Sequence, residues 1–465
     1  MSSAHKNGPA GRRTTAGRHN RREQGVALVM VLTVVAILSI FLADFHESTT
    51  TALSIAASQR DQLRAEYIAK SGLNLTRLLI SKEPQITRAV APLYRLLIKR
   101  RAPQINVWRF ADQILGPFFN RPATDQLGSD EDEIALTSSF DLSEAEGLES
   151  LGGTFHIAAS VENSKINLNN PLFRSGTDAK RSTAMQLFML MGGHQNPNPY
   201  DPLFSRQDAD GHYTTPLDIV SAAIDWWDYD QRRTVFDPGS SMIGEAGSED
   251  DVYSSLDDPY QVKNAPYDSL QELRMIRGID DDFWATFIEP DPDDPEKRQV
   301  TIYGSGSVNV NEAPPLVMLA RLCSFLIEQP QALCRDPLEG AKFVQLVGTM
   351  RSLVPIAWFS SPYDFVKFVE GSGGPTDLYP MLRMLLGADS PLLFQPLSIP
   401  HLLRPALGRA FITSASIITI QSTAAVGRAR VRLDTVVNFD RRWTPPPPNP
   451  GTMPALGVLH YYRLD

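Results

Sequence analysis

An uncharged apolar run of about eighteen residues, Val26 to Ala43, follows directly on a basic leader that ends Arg21-Arg22-Glu23-Gln24-Gly25. At 1.5 Å rise per residue such a run spans roughly 27 Å, close to a hydrocarbon core of about 30 Å, so it can cross a bilayer once. The basic flank stays on the cytoplasmic side and sends the rest of the chain to the far side. A cleaved secretory signal would need a shorter apolar core and small residues at a cleavage site, and Leu42-Ala43-Asp44 is a poor match. No turn signal follows either. Apolar residues three, four and seven apart continue through Leu53, Leu63, Tyr67, Leu75 and Leu78, and the first proline after the anchor is Pro84. The spacing predicts one long helix over residues 26–83, on the order of 80 Å long, half in lipid and half packed on a domain beyond the membrane.

About 420 residues beyond the anchor exceed one typical domain, so two are expected. The leader carries six basic residues and one acidic residue, a net of +5. Its removal takes the chain from −9 to −14, which argues against nucleic acid as a partner. Cys323 and Cys334, eleven apart, are the two cysteines; a bridge and two buried thiols are both compatible with the sequence.

Past a polar, acidic loop near residues 128–149, Gly153 to Val161 reads as a strand and is followed by Ser164-Lys165-Ile166-Asn167-Leu168-Asn169-Asn170-Pro171. A near copy recurs as Gly306-Ser307-Val308-Asn309-Val310-Asn311-Glu312-Ala313-Pro314. Each predicts a short strand, then an asparagine and a proline that start a helix. A second phrase, Pro-x-Asp, occurs at Pro216, Pro266 and Pro362 before apolar helical runs, and Ser269 with Glu272 has the spacing of a capping box. Helical hairpins are therefore expected between Pro171 and about Pro400. Toward the C-terminus the period changes. Ser416 to Gln421 is rich in β-branched residues, Arg428, Arg430 and Arg432 alternate with apolar residues along what reads as a solvated sheet face, and Leu456 to Arg463 reads as a last strand after the proline run 445–448. Strands on both sides of a helical block predict a sheet domain with a helical domain inserted.

Glycine directly before an uncleaved apolar helix resembles the start of the type IV prepilin and pseudopilin superfamily. That resemblance implies a cut between Gly25 and Val26 by the prepilin peptidase and methylation of Val26. Most members carry glutamate at the fifth mature position, where this chain has Met30. A buried carboxylate in lipid persists only where it pairs with a neighbouring subunit's charged amino terminus, so a subunit lacking it suits the first position of a filament. Five further segments narrow the resemblance: Val161 to Asn169, Asp225-Trp226-Trp227-Asp228-Tyr229-Asp230, Gly247-Ser248-Glu249-Asp250, Asn264 to Ser269, and Val308 to Pro314. In this order they resemble the general secretion pathway protein K family, the large minor pseudopilin of type II secretion.

The resemblance implies an α+β, pilin-like fold, with a long N-terminal helix on an antiparallel sheet and a large inserted all-α domain. The boundaries expected are a leader at 1–25, the transmembrane and long helix at 26–83, a first pilin-like part at 84–170, the insertion at 171–400 and C-terminal strands at 401–465. It also implies a role at the pseudopilus tip, starting assembly for export of folded proteins across the outer membrane. The partners implied are other minor pseudopilins, the major pseudopilin, the inner-membrane assembly platform, the prepilin peptidase and secreted substrates. The place implied is the inner membrane, crossed once, with the bulk in the periplasm. A tip pilin of a type IV pilus is the alternative, and a membrane-tethered DNA-uptake protein a more distant one.

Acidic residues cluster at Asp225, Asp228, Asp230, Asp237, Glu249, Asp250 and Asp251, the oxygen-rich composition that calcium takes, without EF-hand spacing. Solvated acidic loops have the same composition. The family resemblance implies calcium in the insertion, with Asp228, Asp230, Glu249 and Asp250 as ligands. For DNA binding, Leu273 to Asp280 has the look of a helix-hairpin-helix unit, but Asp280, Asp281 and Asp282 stand where backbone amides would meet a phosphate. For an enzyme, the sequence contains no Gly-x-Ser-x-Gly, no phosphate loop and no His-Glu-x-x-His, and its eight histidines are scattered singly.

Overall fold

The computed structural model describes residues 20–98, 106–119, 152–170, 176–208, 211–254, 256, 258–326, 331–353, 357–374, 377–440 and 456–465. Most of the basic leader, the acidic loop at 128–149 and the proline run 445–448 lie outside these residues. The chain divides into two compact units, the first ending at Leu63 and the second running Arg64–Asp465.

Helix α1 (Asn20–Ile98) supplies all the described structure of the first unit. Its most apolar 18-residue window has a mean hydropathy of 3.0 and no buried residue, so it is long and apolar enough to cross a membrane once. The hydroxyls inside this stretch are satisfied within the helix, Thr33 donating to the Met30 carbonyl and Ser39 to the Val35 carbonyl, both at 2.8 Å. No polar hydrogen of theirs is left for hydrocarbon to desolvate.

In the second unit α1 turns amphipathic. Ala65, Ile68, Ala69, Leu73, Thr76, Leu79, Ile80 and Glu83 are all buried, the three-and-four spacing of a single helix face. The sheet below is antiparallel, ordered β1 (Thr154–Val161), β8 (Ile417–Val426), β9 (Ala429–Asn438) and β10 (Val458–Leu464). Gly72 sets how closely helix and sheet approach, because a Cβ there would lie 2.8 Å from Ser422 Oγ and 3.1 Å from the Phe155 ring. Helix α1, strands β1, β8 and β9, and α2 (Ala111–Phe119) share one hydrophobic core, and β10 lies at the exposed edge of the sheet. The α+β arrangement of a long helix on an antiparallel sheet is the one expected from the sequence. The helix is longer than expected: it continues through Pro84 and Pro92 to Ile98. Each proline removes one amide from the helical ladder, yet Pro84 is itself buried, and packing there outweighs the lost bond.

Between β1 and β8 the chain builds a second, separate core. Its helices of seven residues or more are α3 (Gly176–Leu190), α4 (Pro216–Asp225), α5 (Pro315–Cys323), α6 (Pro337–Leu353), α7 (Pro362–Val369), α8 (Leu378–Leu386) and α9 (Arg404–Ala410). The block is mainly helical but not wholly so. It also carries the hairpin β3 (Arg232–Asp237) and β4 (Met242–Ser248), and two short parallel pairs, β2 (Ile166–Asn167) with β5 (Val300–Thr301) and β6 (Val308–Asn309) with β7 (Phe411–Ile412). Cys323 and Cys334 are joined by a disulfide.

The repeated asparagine phrase is a structural repeat. In the first copy Asn167 Oδ1 accepts from the Asn169 amide at 2.9 Å, and Asn169 clamps two distant segments by donating to the Tyr267 and Ile302 carbonyls and accepting from the Tyr267 amide. In the second, Asn309 Oδ1 accepts from the Asn311 amide at 3.0 Å, and Asn311 does the same to the Phe359 and Thr413 carbonyls and the Phe359 amide. The Pro-x-Asp phrase diverges. At α4 and α7 the proline occupies the first turn and the aspartate closes a capping box with Thr215 or Ser361, whereas at Pro266 the box begins past the proline and is made by Ser269 and Glu272.

Candidate metal centre

The carboxylates come together where α4 ends. The carbonyls of a helix's last turn lack amide partners, and the negative end of the helix dipole lies there, so this is a poor place for carboxylates unless a cation joins them. Asp225 is the last residue of α4, and the Asp228 amide folds back onto the Ile224 carbonyl at 3.1 Å, which keeps the two side chains on one side. The hairpin β3–β4 then returns the chain to Glu249, at the start of a short 3-10 helix. Carboxylate oxygens of Asp225, Asp228 and Glu249 lie within 4.8 Å of one another, and all three residues are at most 3% exposed.

The backbone carbonyls of Asp225 and Asp230 supply further oxygens. Asn264, held at φ +49°, places its amide end 2.9 Å from Glu249 Oε2 and 3.3 Å from the backbone carbonyl oxygens of both Asp225 and Asp230. With its NH2 turned inward Asn264 donates to all three; with its oxygen inward, only acceptors face one another and a cation is needed to hold them. Glu249 Oε1 is buried without a hydrogen-bond partner.

Burial dominates the electrostatics. It pushes the Asp225 carboxyl up to about 7, with Asp228 adding repulsion against the hydrogen bond from the Thr234 amide. Burial and then repulsion from Asp228, Asp225 and Asp230 push Glu249 up to about 8. Burial also raises Asp228, although Lys180 Nζ sits 2.6 Å from its Oδ2. The donors are all hard oxygens in a buried, over-negative pocket, so the residues fit a hard divalent cation such as calcium and offer nothing that zinc or copper would prefer.

The expected ligands divide. Asp228 and Glu249 face the centre. Asp230 turns its carboxylate to Lys180 at 2.7 Å and to the Arg232 amide, and presents only its backbone carbonyl to the centre. Asp250 lies outside, accepting from the Val262 amide at 3.1 Å. Asp237 closes the turn after β3 through the Gly239 and Ser240 amides, and Asp251 accepts from the Ser248 amide. Asp225 belongs to the acidic stretch but not to the expected ligand set; its spacing of three from Asp228 at a helix end was the available signal. Lys180 and Asn264 were not foreseen, because both arrive through the tertiary fold. Gly25 and Val26, the expected processing point, are exposed on α1, and a Cβ added at Gly25 would meet nothing within 4 Å. In the hairpin-like segment, Asp280 caps the Phe283 amide while Asp281 and Asp282 pair with Arg274 and Arg206.

Residues 164–288, which contain Lys180, all three carboxylates and Asn264, match the family model described as Type II secretion system (T2SS), protein K. This part of the chain is similar to protein K of type II secretion systems. Among solved structures, a chain in the GspK-GspI-GspJ complex of the enterotoxigenic Escherichia coli type 2 secretion system matches at 11% identity, over 67% of this chain and 80% of that one, with a TM-score of 0.35. That likeness is too loose to carry an argument by itself. No curated protein matches the chain. The matched segment covers the first part of the insertion and stops short of α5, so the acidic centre lies inside the matched segment.

Proposed function

We propose that the chain is a minor pseudopilin of a type II secretion system, placed at the pseudopilus tip, where it starts assembly with other minor pseudopilins. The observation that supports this most directly is a protein K segment inserted into a sheet whose helix continues N-terminally as an apolar span. Gly25 before that span, and Met30 where a filament-adding subunit would carry glutamate, support processing by a prepilin peptidase and a first rather than a later position. The bulk of the chain would then lie in the periplasm, where its disulfide persists. Calcium held by Asp225, Asp228 and Glu249, completed by Asn264 and the Asp225 and Asp230 carbonyls, would supply the positive charge this pocket lacks and pin α4 to the β3–β4 hairpin.

The test is deletion of the gene in its own host. Exoproteins should accumulate in the periplasm, and the full chain should restore their release. Retained secretion together with loss of surface pili would instead support a tip pilin.

A further inference from the structure

Lys180 stands on α3, away in sequence from every carboxylate of the centre, yet its Nζ lies 2.6 Å from Asp228 Oδ2 and 2.7 Å from Asp230 Oδ2. The residue is 9% exposed. An ammonium this close to Asp228 lies well inside the distance at which a divalent ion bound to the same carboxylate would repel it strongly. A divalent ion on Asp228 and the ammonium on its Oδ2 would therefore repel one another across one carboxylate.

The structure also offers the ammonium somewhere to go. Beside Lys180 a cleft of about 390 Å³ opens, lined by Thr177, Asp230, Ile243 and Glu245 and not by Glu249. Lysine has four rotatable side-chain bonds and a compact charge, so Nζ can leave Asp228, keep Asp230 and turn toward Glu245, which Arg232 also pairs at 3.1 Å.

We propose that Lys180 is a tethered competitor for the divalent-cation site: it neutralises Asp228 when the ion is absent and swings into the cleft beside Glu245 when the ion binds. The proposal rests on the cation reading of the acidic centre. It has two consequences. The ion-free pocket is partly neutralised from within, so the insertion need not collapse without metal. Ion binding must also displace an intramolecular cation, which weakens affinity toward the range of 10⁻⁴ to 10⁻³ M found in extracellular calcium modules. The site would then fill only where divalent cations are abundant.

The experiment uses the full chain in detergent micelles, stripped with a chelator and titrated with calcium alone by calorimetry. Lys180→Met and Lys180→Gln should bind calcium at least tenfold more tightly than wild type, whereas Lys180→Arg, which keeps the charge, should stay within about threefold. Neutral variants that bind as wild type does, or more weakly, would overturn the competitor role while leaving the site intact. Absence of calcium binding in wild type, and equally in Glu249→Gln, would overturn the cation reading and the proposal with it. A second measurement needs no variant. The rate of acylation of Lys180 in wild type, read by peptide mass spectrometry, should rise severalfold when calcium is added, and an unchanged or lower rate would refute the swing.

Discussion

Replacing Glu162 by alanine should cost about 3–5 kcal/mol of stability, because it strands a buried ammonium. Glu162 is 4% exposed and lies where the chain leaves β1 for the insertion. Its Oε1 accepts from Lys165 Nζ at 2.5 Å and from the Thr419 hydroxyl at 2.6 Å, and its Oε2 accepts from the Thr301 hydroxyl. Lys165 is equally buried, and its only other partner among the described bonds is the Ser160 hydroxyl at 3.1 Å. Removing the carboxylate leaves a charge in a dry site and two hydroxyls without an acceptor. Removing both charges, as in Glu162→Ala with Lys165→Met, takes away the stranded charge, so the remaining cost is that of the hydroxyls, on the order of 1 kcal/mol each. The double variant should therefore be more stable than Glu162→Ala alone, and the two single costs should exceed the double cost by at least about 2 kcal/mol. Urea unfolding of the full chain in detergent, followed by tryptophan fluorescence, measures all four corners of the cycle. Costs additive to within about 0.5 kcal/mol would show that the pair is not coupled and would refute the reasoning.

Three other outcomes follow from the geometry. In chelator, the folded carboxyls of Asp225 and Glu249 keep protons that the unfolded chain has already lost, so stability should fall as pH rises from about 4.5 through 7 to 8; a melting temperature that holds or climbs across that window contradicts the buried acidic centre, and added calcium or Glu249→Gln should flatten the fall. Gly25→Ala should leave the anchor helix intact, since the new methyl meets nothing, and yet abolish maturation; equal amounts of a chain starting at Val26 in mutant and wild type, by N-terminal mass, would remove the prepilin reading. Cys323→Ser with Cys334→Ser should lower stability by about 2–3 kcal/mol through the freed loop, and reductant should lower wild type to the same level; a wild type indifferent to reductant would contradict the bridge.

Long-range pattern was legible in the sequence where it repeated or ran unbroken. Hydropathy and the absence of turn residues identified α1, alternation identified β1 and β9, and a β-branched run identified β8, which is buried on both faces; β10, which buries no residue, was read as a last strand after the proline run. The helix end at 83 was misplaced because the cost of a proline is local, whereas burial of Pro84 and Glu83 is tertiary. The β3–β4 hairpin was missed for a related reason. Most of β4 is exposed, so it carries no buried face for the pattern to reveal. At the acidic centre, composition pointed to the right stretch, but which carboxylates converge depended on the turn after α4 and on Lys180 arriving from α3, neither of which spacing encodes.

The segment Val161 to Asn169, read first as a family likeness, acquires a physical reason from the fold. Glu162 joins β1 to β5 and β8 through Lys165, Thr301 and Thr419. Its neighbour Asn163 accepts from the Ser416 and Ile417 amides, where the chain returns from the insertion to β8. Asn167 then donates to the Tyr303 and Gly304 carbonyls, and Asn169 clamps Tyr267 and Ile302. The exit from the sheet and the return to it are thus pinned by consecutive residues at one seam between two separate apolar cores. Buried polar contacts of this kind add little net stability but penalise every alternative alignment, because a slipped register leaves them unpaired. An insertion that must hold one orientation on its sheet needs that penalty more than it needs another apolar contact, and this is the physical case for a polar motif at the point where the two cores meet.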